Sequence, residues 1–162
     1  MRILGIDPGL QVCGYACLEV GQDKEKLIEA GIIRTDGGSA LQEKLNRIAE
    51  DIESLLKNFK PDTVAVEELY AHYAHPRTAI LMGHARGVIL QKCAEAGIEV
   101  RSFSATHIKK SITGNGRASK GQIQRTIQTM LSLPKLPEPS DVADAIAAAV
   151  CCSNSISIVT KF

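Results

Sequence analysis

Strand-like segments dominate the first part of the chain, and the connections between them are short. Residues 2–7 and 12–20 are apolar runs separated by a Pro-Gly turn. Residues 26–35 are predicted to form a third strand, which closes at an Asp-Gly-Gly turn. Connections of this length cannot hold a crossover helix, so the three strands are predicted to pair in an antiparallel sheet.

Helical and strand-like patterns alternate after this point. Ser39 and Gln42 fit a capping box, and the helix that they begin is predicted to end at Lys60-Pro61. The other predicted elements are strands at 62–69 and 98–104 and helices at 76–96, 105–112, 119–132 and 141–152. The order predicts one α/β domain over residues 1–162, a mixed five-stranded sheet flanked by helices, with a short flexible C-terminal tail from about residue 153.

Composition favours a globular protein of the cytoplasm. Hydrophobic residues make up 44% and charged residues 23% of the chain, which is ordinary for a packed domain. We expect no membrane partner, because no apolar run reaches the roughly 18 residues of a bilayer span and no signal-peptide pattern begins the chain. Five cysteines without a CxxC pair argue against both a disulfide framework and a zinc site.

Basic residues are concentrated in one segment. Residues 100–137 carry seven of the 19 lysines and arginines and none of the 18 acids, although the net charge is only +1. A segment of one sign in a nearly neutral protein is typical of a docking face for a polyanion. A solvated helical face is the alternative interpretation.

Carboxylates occur where predicted elements begin or end. Asp7 ends the first strand, and Glu67 lies near the end of the fourth, with Glu68 pointing to the opposite face. Asp141 and Asp144 are three residues apart and share one face of the last helix. Each acid alone can be explained as a helix cap or an ion-pair partner. Together they predict a site for a hard cation, since clustered carboxylates do not all stay ionised without one.

Five motifs carry a resemblance that covers residues 1 to about 152. In order and spacing, "GIDPGLQVCGY", "AVEELY", "MGHARG", "SITGNGRASKGQI" and "SDVADAIAAAV" resemble the motifs of the RuvC Holliday-junction resolvases, the crossover junction endodeoxyribonucleases. The resemblance implies an RNase H-like fold and a homodimer that works with the RuvA–RuvB branch-migration complex. It also implies symmetric nicking of two opposed strands of a four-way DNA junction in recombination and repair, with two Mg²⁺ ions per site, for which Mn²⁺ can substitute.

The resemblance also assigns roles to individual residues. The catalytic and metal-binding acids of the family fall on Asp7, Glu67, Asp141 and Asp144. The junction-contacting residues are expected to be Tyr70, as a base-stacking aromatic, with Arg77, Lys109, Arg117 and Lys120. Leu81 and Met82 replace a lysine that is common in the family, and Arg77 is the candidate substitute. Gly83 and Gly87 are expected to lie at the subunit seam.

Two other functions fit parts of the sequence. "GIDPG" also resembles the phosphate loop of actin-like sugar kinases, but these need two such domains and the chain has length for one. A non-catalytic junction-binding protein would keep the basic segment and use its acids structurally. His72 and His75 have the spacing of a metal pair, but without a third soft ligand nearby they are interpreted as loop residues.

Overall fold

Ten elements are formed by the residues that the structure describes. A computed structural model of the protein describes residues 1–22, 24–69 and 76–159. The strands are β1 (Arg2–Asp7), β2 (Val12–Val20), β3 (Glu25–Arg34), β4 (Thr63–Glu67) and β5 (Glu99–Phe103). The helices are α1 (Leu41–Phe59), α2 (Pro76–Glu95), α3 (Ala105–Thr113), α4 (Lys120–Met130) and α5 (Ser140–Val159). The predicted mixed five-stranded sheet with flanking helices is confirmed.

The sheet has the order β3-β2-β1-β4-β5. β1, β2 and β3 pair in antiparallel fashion, as their short connections predict, whereas β1, β4 and β5 are parallel. Ile6 lies beside Val66 in the β1–β4 register. The carboxyl ends of β1 and β4 therefore meet at one edge of the sheet, which brings Asp7 and Glu67 to the same place.

Helices cover both faces of the sheet. Leu4 and Ile6 of β1 pack with α1 and α2, whereas Ile3 packs on the opposite face with α3, α4 and α5. Side chains alternate along a strand, so Asp7 points toward the face that carries α5. The same alternation in β4 puts Glu67 on that face and Glu68 on the other. Glu68 follows the last residue of β4 and is exposed.

α5 lies unusually close to the sheet. A Cβ atom on Gly5 would come within 2.1 Å of the Ala145 carbonyl oxygen, and one on Gly14 within 2.0 Å of the Asp141 carbonyl oxygen. Small residues of the helix fill the rest of this contact. The buried alanines of α5 are Ala143, Ala145, Ala147, Ala148 and Ala149. This confirms that the alanine-rich helix packs closely against the strands.

Several predicted helix boundaries differ from the structure; α4, for example, ends at Met130 and not at residue 132, and two other differences have an identifiable cause. α1 begins one residue later than expected, because the Glu43 carboxylate accepts a hydrogen bond from the Ala40 backbone N–H at 2.9 Å in place of the Ser39–Gln42 box. α5 continues past Cys152 to Val159. The extension is anchored on α3, where the Asn154 side-chain amide donates to the Ser111 hydroxyl at 3.0 Å.

The cysteines and the helix lengths bear on the predicted absence of disulfides and of a membrane span. All five cysteines are buried with free thiols, and Cys13 and Cys17 lie in the core between the sheet and helices α1 and α2. Within the described ranges, no helix has the length and apolarity needed to cross a bilayer.

Candidate active site

One cleft contains three of the four predicted acids. Asp7, Glu67 and Asp144 line a cavity of about 270 Å³ at the carboxyl edge of β1 and β4. Lys109 from α3 and Lys120 from α4 line the same cavity. Strand alternation aims the first two carboxylates at α5, and the close approach of that helix brings the third to meet them. The structure thus gathers residues from five elements between β1 and α5.

Asp141 lies at the margin of this cleft. It is one turn before Asp144, half-buried, and its carbonyl group sits over Gly14 of β2. It does not line the cavity, but its charge is close enough to raise the pKa of Asp7 and of Asp144. The four acids therefore form one electrostatic cluster, in which Asp141 is peripheral.

The carboxylates carry more negative charge than their surroundings balance. Burial, together with the charges of Asp144, Glu67 and Asp141, raises the pKa of Asp7 to about 8. Burial also raises the pKa of Glu67 and of Asp144. Lys120 opposes all three shifts, and its Nζ atom lies 3.5 Å from Asp144 Oδ2. The cleft has an excess of negative charge that a bound cation would neutralise.

We expect the stability of the protein to depend on the ionisation of Asp7. Unfolded, this carboxyl loses its proton near its ordinary pKa of 3.8, but in the folded protein it does so at about 8. The folded state therefore binds the additional proton between these values, and stability falls as the pH rises through this window. Asp7→Asn should raise the Tm in EDTA by several degrees at about pH 8 and very little near pH 4.

Thermal melts of both proteins across this pH range, without divalent ions, provide the measurement. Added Mg²⁺ or Mn²⁺ should reduce the advantage of the variant, because the ion stabilises only the carboxylate form. A Tm difference that stays constant from acid to alkaline pH would contradict the assignment of a strongly raised pKa to Asp7.

The donor chemistry of the cleft fits a hard divalent cation. The candidate ligands are carboxylate oxygens, which Mg²⁺ and Mn²⁺ prefer, and among the described residues no cysteine or histidine lines the cavity. No three histidine, cysteine or acidic side chains of the described residues are already arranged to hold an ion.

The predicted DNA-contacting residues do not all reach this cleft. Arg117 is exposed in the loop before α4, where its backbone N–H donates to Asn115 Oδ1 at 3.0 Å. Arg77 lines a neighbouring cleft of about 570 Å³ together with Lys44. Met82 lines both clefts, so they adjoin. Tyr70, His72 and His75 lie outside the described residues.

The glycine-rich part of α2 has two faces. Ala85 is fully buried in the core against the sheet, whereas Gly87 is exposed and Gly83 half-buried on the outer side. A Cβ atom on Gly87 would meet nothing within 4 Å. The structure therefore assigns sheet packing to the alanine and leaves the two glycines available for another contact.

Arg86 contacts β4 and β5 beside the cleft, and the sequence did not identify it as a residue of the site. Its Nε atom donates to the backbone carbonyl of Glu67 at 3.4 Å, and its Nη2 atom donates to the Ser102 hydroxyl at 2.8 Å. The available signal was an arginine within the "MGHARG" motif of an otherwise weakly charged helix segment. Its partners could not be identified without the strand positions.

Comparisons with known proteins agree with this geometry. The family model of crossover junction endodeoxyribonuclease RuvC matches residues 3–152. A crossover junction endodeoxyribonuclease RuvC of Rhodopirellula baltica is 46% identical over 149 residues, which cover 92% of this chain and 84% of the relative.

Solved structures extend the likeness to the fold. The structure of T. thermophilus RuvC in complex with Holliday junction substrate is 30% identical, with a TM-score of 0.92 over 99% of this chain and 97% of that one. The yeast mitochondrial Holliday junction resolvase Ydc2 has a TM-score of 0.70 at 12% identity, over 99% of this chain and 82% of that chain, and shows a similar fold only. The RNase H-like fold is confirmed, and the chain belongs to the RuvC family of crossover junction endodeoxyribonucleases.

Proposed function

We propose that the protein is a structure-selective endonuclease that resolves four-way DNA junctions by nicking two opposed strands during recombination and repair. The observation that carries this proposal is the cleft formed by Asp7, Glu67 and Asp144 with Lys109 and Lys120. Buried acids beside lysines at the edge of a sheet suit phosphodiester hydrolysis, in which negative charge must be bound and water activated. Family membership and the relative solved with a Holliday junction substrate support the choice of DNA.

The acids would hold the divalent cations on which the reaction depends. Asp7, Glu67 and Asp144 would be ligands, with Asp141 completing the set at the margin. Mg²⁺, with two ions per site and Mn²⁺ as a substitute, would supply Lewis acidity and activation of water. Lys120, now in contact with Asp144, would bind a phosphate oxygen instead when DNA enters, and Lys109 adds a second positive charge to the same cavity.

Lys120 should also contribute to junction affinity. If its ammonium group contacts one backbone phosphate, Lys120→Ala should flatten the log–log dependence of junction affinity on salt concentration by roughly 0.9. Gel-shift titrations at several salt concentrations in EDTA measure this slope. Lys26→Ala is a matched control, because Lys26 is an exposed lysine on the edge strand β3. An unchanged slope for Lys120→Ala would remove this residue from the DNA face.

We infer that the protein acts as a homodimer, since a four-way junction presents two equivalent strands and a two-fold pair of sites matches them. Gly83 and Gly87 on the outer side of α2 allow close approach of a second helix. Ile80 lies at helical spacing from them and is 62% exposed. The proposed seam therefore combines small residues with an apolar side chain that a partner would cover.

Introducing a charge at this seam should break the dimer. In sedimentation experiments at micromolar concentration, we expect the wild-type protein to be a dimer and Gly87→Glu to be a monomer. The variant should also lose paired nicking of the two strands. Gly37→Ala serves as a control in an exposed loop where an added Cβ meets nothing within 4 Å. A wild-type protein that sediments as a fully active monomer would refute the dimer.

A nicking assay on four-way junctions tests the whole proposal. The protein should cut opposed strands of a junction only when Mg²⁺ or Mn²⁺ is present, and it should leave linear duplex of the same sequence largely intact. Binding without cleavage would favour the non-catalytic junction-binding alternative, and nucleotide hydrolysis without cleavage the sugar-kinase-like one. We further propose that the chain acts as a single domain in the cytoplasm, together with RuvA–RuvB.

A further inference from the structure

Arg86 joins three elements at the rim of the candidate active site. It belongs to α2, and its guanidinium reaches the last residue of β4 and the neighbouring strand β5. Glu67 and Ser102, its two partners, belong to strands that are already paired with each other. Among the residues that the structure describes, no carboxylate forms an ion pair with Arg86. Its donors are used instead on a main-chain carbonyl and a hydroxyl.

The carbonyl that Arg86 binds belongs to Glu67 itself. β4 ends at this residue, and the next backbone N–H, from Glu68, donates to the Phe103 carbonyl at 2.9 Å. The Glu67 carbonyl belongs to the same peptide group as this N–H, so strand pairing restrains the group from its N–H side, at the end of the β4–β5 ladder. The Arg86 contact supplies a restraint at this point, from a residue on another element.

α2 also connects this restraint with the outer surface. Met82 of the helix lines the acidic cleft, and Ala85 and Ile89 are buried in the core beneath it. Gly83 and Gly87 lie on its outer side, at the proposed subunit seam. Arg86 is adjacent to Gly87 in sequence. A displacement of α2 at the seam would therefore move the guanidinium that holds Glu67.

We propose that Arg86 is a positioning residue for Glu67, which fixes the direction of this carboxylate in the cleft and links it to the helix that forms the dimer seam. The inference rests on the proposed nuclease function. Arg86 touches neither DNA nor the reacting phosphate in this role. It acts by holding the backbone of a residue that would bind the cation.

Arg86→Gln shortens the side chain and removes its charge, so it should release the Glu67 carbonyl. We expect single-turnover nicking of a four-way junction to fall by about 10–100-fold, the range typical for residues that orient metal ligands. Mn²⁺ affinity, measured calorimetrically on the protein without DNA, should fall by a similar factor. Junction affinity in EDTA should stay at the wild-type value, because no DNA contact is lost.

Two further variants distinguish positioning from general stabilisation. Arg86→Lys keeps one charged donor and should recover part of the Mn²⁺ affinity. Ser102→Ala removes only the second partner of Arg86 and should lower Mn²⁺ affinity less than Arg86→Gln does. Melting curves of all variants show whether each remains folded at the assay temperature.

The result that would overturn the proposal is a folded Arg86→Gln protein with wild-type Mn²⁺ affinity and nicking rate. A parallel loss of Tm, junction binding and nicking, without recovery in Arg86→Lys, would also overturn it, because this pattern belongs to a structural residue. Failure of the proposed function looks different, since the wild-type protein itself would then not cut junctions. The comparison of Mn²⁺ affinities would still test the role of Arg86.

Discussion

Replacing Asp144 with asparagine is expected to reduce junction nicking by at least about a hundredfold while junction binding persists. Loss of a residue that only orients a metal ligand costs up to about 100-fold, and loss of a ligand should cost at least as much. Asparagine keeps the shape of the side chain and one oxygen but loses the negative charge. The Asp144 side chain is 26% exposed and lies in a cleft with two other acids. If these oxygens hold a divalent cation, removing one negative charge lowers the affinity for the ion and therefore the rate of nicking.

Binding should remain because the change removes a repulsive charge from the DNA face. Lys120 loses its 3.5 Å contact with Asp144 and becomes available to a phosphate. Affinity in EDTA should therefore equal or exceed that of the wild type. A structural carboxylate would behave differently, since its loss would lower the Tm, binding and cleavage together.

The measurement combines gel-shift, nicking and melting experiments on one preparation. Glu68→Gln is the matched control, because Glu68 is an acid next to Glu67 that points to the other face of β4 and is exposed. It should cut at the wild-type rate. If a folded Asp144→Asn protein also cuts at the wild-type rate, the assignment of the acidic cleft as the active site is wrong.

Gly14→Ala is expected to lower the stability of the protein substantially. The new Cβ atom would lie 2.0 Å from the Asp141 carbonyl oxygen, a backbone atom that can move only if α5 moves. Overpacking of this kind costs roughly 1–3 kcal/mol or more. For a chain of this size, each kcal/mol lowers the Tm by about 2–4 °C. Nicking should fall as well, because the displaced helix carries Asp144.

Thermal melts and nicking rates of Gly14→Ala and Gly37→Ala provide the comparison. Gly37 lies in the loop before α1, where an added Cβ meets nothing within 4 Å, so its replacement should leave both quantities nearly unchanged. A Gly14→Ala protein with wild-type Tm would show that α5 is not held against β2 as closely as the structure indicates.

The arrangement of the sheet could be predicted because it depends on local rules. Short connections fixed the antiparallel pairing of the first three strands, and alternation along β1 and β4 determined which faces Asp7 and Glu67 occupy. The α1 cap was misplaced by one residue because Ser39 and Ala40 are both followed by a capping side chain three positions later, and only backbone geometry selects Glu43.

Contacts between distant elements could not be predicted in the same way. The Lys120–Asp144 pair joins α4 to α5, and the Arg86–Glu67 contact joins α2 to β4. Both depend on how helices are seated on the sheet, which hydrophobic periodicity does not specify. The extension of α5 to Val159 has the same origin, since its Asn154–Ser111 hydrogen bond exists only after α3 has packed beside it.

The two adjacent glutamates at the end of β4 have a consequence for strand slippage. If β4 moved by one residue relative to β1, Glu68 would take the position of Glu67 and the cleft would still contain a carboxylate. The core would not tolerate this shift, because Val64 and Val66 would leave the face that packs on α1 and α2. Apolar residues therefore enforce the register that places the acid. An insertion between α1 and β4 that shifted this register would disrupt the core even though the cleft kept a carboxylate.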